Sequence, residues 1–171
     1  MAGPLLARSK SFGEILPKSF SKPCSEVAVE TDLHKWPALT VHQPWAELLI
    51  SGRKTVEMRT WTPDYRGRIW LHAGLKVNTE LERRFGFTEL YRGGYVGSMK
   101  LLAVVPLTRE RWIQLSGKHL DAGEFRSGFF AWMLDEPRRF RVPVSSRGAQ
   151  LLFIPPRDIQ EQLIESEREG N

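Results

Sequence analysis

Between His42 and Arg59 the chain passes from a helical to a strand hydrophobic period in fewer than twenty residues, which sets a helix, a turn and a strand in immediate succession. Pro44 suits the first helical position, where its missing N–H would have no partner, and Trp45, Leu48 and Leu49 then share one helical face. Gly52 follows as the stop, because glycine freely takes the left-handed conformation common just past a helix end. From Thr55 the period is two: Val56 and Met58 point one way, and Thr55, Glu57, Arg59 and Trp61 the other. Lys54, at the mouth of the turn, can reach the charged face of that strand. One side is apolar and the other carries chemistry.

The 171 residues, 41% hydrophobic and 26% charged, are enough for one soluble domain with a core and short extensions. The lone cysteine, Cys24, excludes a disulfide framework and a cysteine metal cluster, and favours a reducing, cytoplasmic setting. No apolar run reaches the roughly 18 to 20 residues of a membrane span, and residues 1–20 lack a signal-peptide hydrophobic block. The net charge is +5, but the segment Arg157 to Asn171 carries −3, which leaves +8 on the rest. That excess favours polyanions such as RNA or DNA through counterion release; a merely soluble basic protein is the plain alternative.

Residues 1–35, rich in Ser, Lys and Pro, are expected to form a loosely ordered arm, although Phe12, Ile15, Leu16 and Phe20 have the spacing of a short amphipathic turn. A dense pattern begins at Trp36. Leu39 and Val41 mark a first strand, followed by the helix from Pro44 and the strand from Thr55 to Trp61. The breakers Thr62 to Gly67 lead to a strand over Arg68 to Gly74, and these two strands are expected to pair as a hairpin. Asn78 should cap a helix ended by Gly86. A long strand over Tyr95 to Pro106 reads as apolar on both faces from Leu101 to Val105. The stretch Trp112 to Gly128 is weakly patterned; separate strands are expected over Phe129 to Leu134, Arg138 to Val144 and Leu151 to Ile154, with Pro137 and Pro143 at strand ends or edges. The acidic tail 157–171 reads as a short helix.

His42-Gln43-Pro44-Trp45, the GxKxxExR spacing of Gly52, Lys54, Glu57 and Arg59, and Gly67-Arg68-Ile69-Trp70-Leu71-His72-Ala73 together resemble the ASCH family (activating signal cointegrator homology). Gly94-Tyr95-Val96-Gly97, Phe130-Ala131-Trp132 and Arg147-Gly148 add weaker support, so the resemblance covers about residues 36–156. It implies an α+β fold, a small β-barrel like that of PUA RNA-binding domains with two or three flanking helices. It also implies a cleft lined by the charged motif residues and a role with RNA, nucleotides or DNA. Some relatives look like coactivator modules, others like nucleases, and a bacterial branch like amidohydrolases of acetylated cytidine.

As an exposed cluster, Lys54, Glu57 and Arg59 would contribute only about 0 to 1 kcal/mol, and half-buried they would cost several kcal/mol unless fully paired. Stability alone is a poor reason for the trio, although a solvated strand face remains the plain reading. In a catalytic site Lys54 would hold an anion or act as a base, with Glu57 positioning it or moving the proton. The acetylcytidine hydrolases carry threonine three residues after the motif lysine; Glu57 stands there in this chain, which removes the expected nucleophile. Glu124 is a candidate for the distant acid of that branch. His42 and His72 are nearest the motif, but their spacing does not support a metal, and bonds to backbone are the expected role. No cofactor is expected. Trp61 is the best base-stacking candidate, while Trp45 is assigned to the core by its helical face. Arg66, Arg68 and Arg147, with Arg138, Arg139 and Arg141, would form a phosphate-binding rim or a solvated basic surface, and His42 would join the binding set.

Three functions follow. The first is binding of RNA or a nucleotide in a cleft lined by the motif, the second hydrolysis of a phosphodiester or acylated nucleoside by Lys54 and Glu57. The third is a non-enzymatic interaction module that recruits a partner through the arm or the acidic tail.

Overall fold

The computed structural model describes residues 36–170; the expected arm over 1–35, with Cys24, lies outside them. β1 (Ala38–Val41) leads into α1 (Trp45–Ile50), and β2 (Val56–Arg59) follows the turn at Gly52. β3 (Gly67–Ala73), α2 (Thr79–Arg84) and the long β4 (Gly94–Pro106) come next. The short helices α3 (Arg109–Gln114) and α4 (Ser116–His119) precede β5 (Phe130–Ser145), β6 (Leu152–Phe153) and α5 (Arg157–Glu169). Six strands form one sheet in the order β2-β5-β4-β3-β1-β6, parallel only between β1 and β3. The two end strands do not pair, so the sheet is a half-barrel in an α+β fold. Among the described residues no helix is long and apolar enough to cross a membrane.

The expected hairpin does not form. β2 pairs antiparallel with β5, Glu57 opposite Trp132, while β3 lies between β1 and β4. The reason is burial: Ile69 and Leu71 enter one core, Trp70 enters another, and all three are fully covered. A strand with both faces buried needs an interior place, whereas the half-charged β2 can occupy an edge. In the first core α1 sets Ala46, Leu49 and Ile50 against Leu71, Met99 and Trp132. In the second, Leu163 and Ile164 of α5 meet Trp36, Trp70, Tyr95 and Phe140.

Two further expectations are corrected. Arg138 to Val144 is not a separate strand, because β5 runs unbroken past Pro137 and Pro143. Pro137 sits at a register shift where Asp135 pairs with Lys100 and Arg138 with Ser98, so its missing N–H falls at a bulge. Opposite it, Gly97 (φ 152°) brings the strands so close that a Cβ would lie 2.1 Å from the Arg138 carbonyl oxygen. The weakly patterned stretch contains α3 and α4, which raises the helices to five among the described residues. No residue of α3 is buried, so it has no apolar stripe, although Thr108 Oγ1 caps it by accepting from the Arg111 N–H at 3.3 Å. The run Leu101 to Val105, apolar on both faces, does take an interior place, in β4 between β3 and β5, with Leu101, Ala103 and Val105 buried and Leu102 and Val104 partly so.

Candidate functional site

Pro44 is the cap of α1 and not its first residue, and helical hydrogen bonding starts from its carbonyl, which accepts from Leu48 N–H at 3.0 Å. Gln43 ties this end down: its Oε1 accepts from Glu47 N–H and its Nε2 donates to the Tyr91 carbonyl at 2.8 Å. At the other end Gly52 has φ 74°, the left-handed conformation that reverses the chain. The reversal carries Lys54 back under the helix, where its N–H donates to the Leu48 carbonyl at 2.8 Å. Leu48 and Leu49 are core residues, but Trp45 is half-buried and leaves its face to Lys54, whose Nζ lies 4.9 Å from the ring centroid.

The three motif charges form one line. Lys54 is 2% exposed; its Nζ donates to the His119 carbonyl at 2.7 Å and lies 3.4 Å from Glu57 Oε2. The other oxygen of Glu57 lies 3.3 Å from Arg59 Nη2, which also donates to the Thr40 carbonyl at 3.1 Å. Burial pushes the Lys54 ammonium below its usual range, and Glu57 and then Asp121 pull the other way. Glu57 therefore faces Lys54 with one oxygen and Arg59 with the other.

The cations at the two ends open onto different spaces. Lys54 and Glu57 share a cavity of about 140 Å³ with Trp45, Asp121 and Phe129. Arg59 opens onto a cleft of about 530 Å³, within the usual range for small-molecule sites, with His42, Trp61, His72 and the segment Gly148 to Leu151. Trp61 packs edge-on against Trp132 with centroids 4.6 Å apart. His42 is exposed on the cleft wall, and partial burial followed by Lys76 and Arg59 holds it below the usual histidine range. His72 is buried; its Nε2 lies 3.1 Å from the Ser146 carbonyl oxygen.

Of the residues singled out in the sequence, Lys54, Glu57, Arg59, Trp61 and His42 come together, and three arginines do not. Arg68 is buried, donating to Ser98 Oγ at 3.0 Å and to Glu136 Oε2 at 2.7 Å, and does not line the cleft. Arg66 is exposed and donates to the Pro63 and Tyr65 carbonyls at 2.8 and 2.7 Å. Arg147 is exposed beside the cleft segment without lining it. Arg138 pairs with Glu167 and Arg139 with Glu47.

Sequence reasoning missed Asp121 and Thr40. Glu124 does not line the Lys54 cavity; Asp121 does, fixed by an N–H that donates to His119 Nδ1 at 3.0 Å and an Oδ1 that accepts from Gly123 N–H at 2.8 Å. The Asp-Ala-Gly turn was the available signal. Thr40 carried none, since it reads as an ordinary strand residue.

A family model described as "ASCH domain" matches residues 39–143. Human activating signal cointegrator 1 is 55% identical over 38 residues, which is 22% of this chain and 6% of that protein. The mouse protein of the same name is 54% identical over 35 residues, 20% of this chain and again 6% of the relative. The chain therefore matches only a small part of these curated relatives. The crystal structure of ASCH from Zymomonas mobilis superposes with a TM-score of 0.58 at 18% identity, over 77% of this chain and 95% of that one. Two point-mutant forms of the same bacterial protein give the same TM-score.

Proposed function

The chain belongs to the ASCH domain family, and from that premise we propose that it binds RNA or a nucleotide in the cleft onto which Arg59 opens. The observation that carries the reading is the state of the Arg59 guanidinium. Its Nη2 is committed to Glu57 and Thr40, whereas its Nε has no hydrogen-bond partner among the described residues. A guanidinium braced on one nitrogen and unpaired on another is oriented for a phosphate or a carbonyl of the ligand. The cleft volume, the Trp61 ring and the basic charge outside the acidic tail support the same reading.

The test is titration of single-stranded RNA at several salt concentrations against wild type and Arg59→Ala. The logarithm of affinity should fall with the logarithm of salt by about 0.7 per phosphate neutralised, and Arg59→Ala should weaken binding at least about tenfold. Binding that is undetectable or indifferent to salt would sink the proposal.

A second reading, hydrolysis of an RNA phosphodiester or acylated nucleoside, draws on the Lys54 cavity. An amine pushed below its usual range beside two carboxylates, Glu57 and Asp121, is suited to proton transfer. Lys54 then serves as base and Glu57 as its proton partner. Incubation with RNA and with acylated cytidines, with and without chelator, examines this; unchanged turnover in Glu57→Gln removes the assigned role.

A further inference from the structure

Three polar atoms on the wall of the large cleft are buried and have no hydrogen-bond partner among the described residues: Thr40 Oγ1, His72 Nδ1 and Arg59 Nε. Buried polar groups normally find partners, because leaving one unmade costs about 1–3 kcal/mol. Here three occur side by side. Thr40 and His72 are register partners on β1 and β3, and Arg59 reaches the Thr40 carbonyl.

The protein keeps side chains off this floor. A Cβ on Gly148 would lie 2.5 Å from Thr40 Oγ1 and 2.6 Å from His72 Nδ1, and one on Gly74 would lie 2.5 Å from His42 Nδ1. Gly148 does not need a positive φ, so its glycine is explained by how closely its backbone packs over Thr40 and His72, covering the floor in this structure, and not by backbone conformation. It belongs to the irregular segment between β5 and β6, where a residue can step aside for a ligand as a ladder residue cannot.

The chemistry of the floor is fixed by what holds His72. Its Nε2 faces the Ser146 carbonyl, an acceptor, so Nε2 carries the proton. Burial pushes the imidazole below its usual range and keeps it neutral, so Nδ1 is left as an acceptor. The floor therefore offers one acceptor, one N–H donor on Arg59 and one hydroxyl that serves as either. A phosphate, which offers mainly acceptors, matches this set poorly. The edge of a heterocycle with an N–H beside a ring nitrogen or carbonyl matches it well. An exocyclic amine projects its N–H beyond the ring and can reach a recessed nitrogen, whereas the imide N–H of uracil is set back between two carbonyl oxygens.

We propose that Thr40, His72 and Arg59 form a base-reading subsite that takes an amino-bearing nucleobase, its exocyclic N–H donated to His72 Nδ1 and its adjacent acceptor bonded by Arg59 Nε. This rests on the reading of the cleft as a nucleotide site and adds which part of the nucleotide enters and which residues discriminate.

The experiment is calorimetric titration of the full chain with AMP, CMP, GMP and UMP, with ribose 5-phosphate as the base-free control, and with single-stranded RNA. The amino-bearing monophosphates should bind at least about tenfold more tightly than ribose 5-phosphate, with UMP between them. Thr40→Val and Gly148→Ala should each remove about five- to tenfold of the base-dependent gain and leave ribose 5-phosphate unchanged. In wild type with labelled histidine, the His72 Nδ1 resonance should move with AMP or CMP and stay fixed with ribose 5-phosphate, a readout that does not depend on a variant folding. RNA binding without base discrimination, or an unmoved His72 resonance, overturns the subsite and leaves the RNA-binding reading standing. Absence of binding to RNA and to every monophosphate overturns both.

Discussion

Lys54 and Arg59 touch the same carboxylate from opposite sides, yet their surroundings differ in kind. Lys54 is 2% exposed, its ammonium held by a backbone carbonyl and a carboxylate in a cavity of about 140 Å³. Around Arg59 three buried polar atoms lack hydrogen-bond partners among the described residues and the space is about 530 Å³. A motif whose charges look equivalent on paper thus divides into a brace and an open face, with Glu57 as the hinge between them. Pairing satisfies a buried charge and takes it out of reach of a large ligand, whereas a buried polar group left unpaired has a hydrogen bond still to make.

The division is tested most severely by Lys54→Ala. Removing one member of a buried pair costs about 3–5 kcal/mol, and Glu57 keeps Arg59, so the loss should fall near 3 kcal/mol in denaturant unfolding. RNA affinity of the folded fraction should change far less. Full stability with binding abolished would reverse the roles of the two ends. Arg59→Ala comes next and should do the opposite, with a loss of about tenfold or more in affinity and about 1 kcal/mol or less in stability, because its side chain is 26% exposed.

How far this was legible in the sequence follows the same split. Gly52 and the period-two strand were enough to bring Lys54, Glu57 and Arg59 onto one line, because local rules govern a helix stop and a strand face. Strand order was not legible: β3 alternates in hydropathy as a two-faced strand should, but Trp70 and His72 are buried against the second face, so it became an interior strand. Arg68 looked like Arg66 in the sequence, and only long-range contacts with Ser98 and Glu136 distinguish them. Thr40 carried no local signal, and Gly148 stood only as part of the weak Arg147-Gly148 match. Their pairing with His72 depends on β1 meeting β3 and on the chain returning to Thr40 more than a hundred residues later.

The two buried histidines allow a finer comparison, since His119 belongs to the Lys54 side and His72 to the cleft. Burial is the leading cause that holds both below the usual range. The unfolded chain then takes up protons first as pH falls, so the stability they contribute is full above about pH 6.5 and declines as pH drops toward their folded values. Unfolding midpoints measured between about pH 8 and 5 should show that decline. Nucleotide in the cleft should lower the His72 value further in an NMR titration, because a donor on Nδ1 competes with the proton, and should leave His119 unmoved. Equal displacement of the two would mean that both spaces respond as one site.

The smallest effect is expected at Arg66, whose guanidinium bonds only to the Pro63 and Tyr65 carbonyls of its own exposed turn among the contacts described. Arg66→Ala should alter stability by less than about 0.5 kcal/mol and RNA affinity by no more than about twofold. A loss comparable with that of Arg59→Ala would extend the binding face along the β2–β3 turn and beyond the cleft. The comparison would then be between a buried brace and a broad basic surface, and the salt slope should fall by about 0.7 in the variant, the signature of one phosphate contact removed.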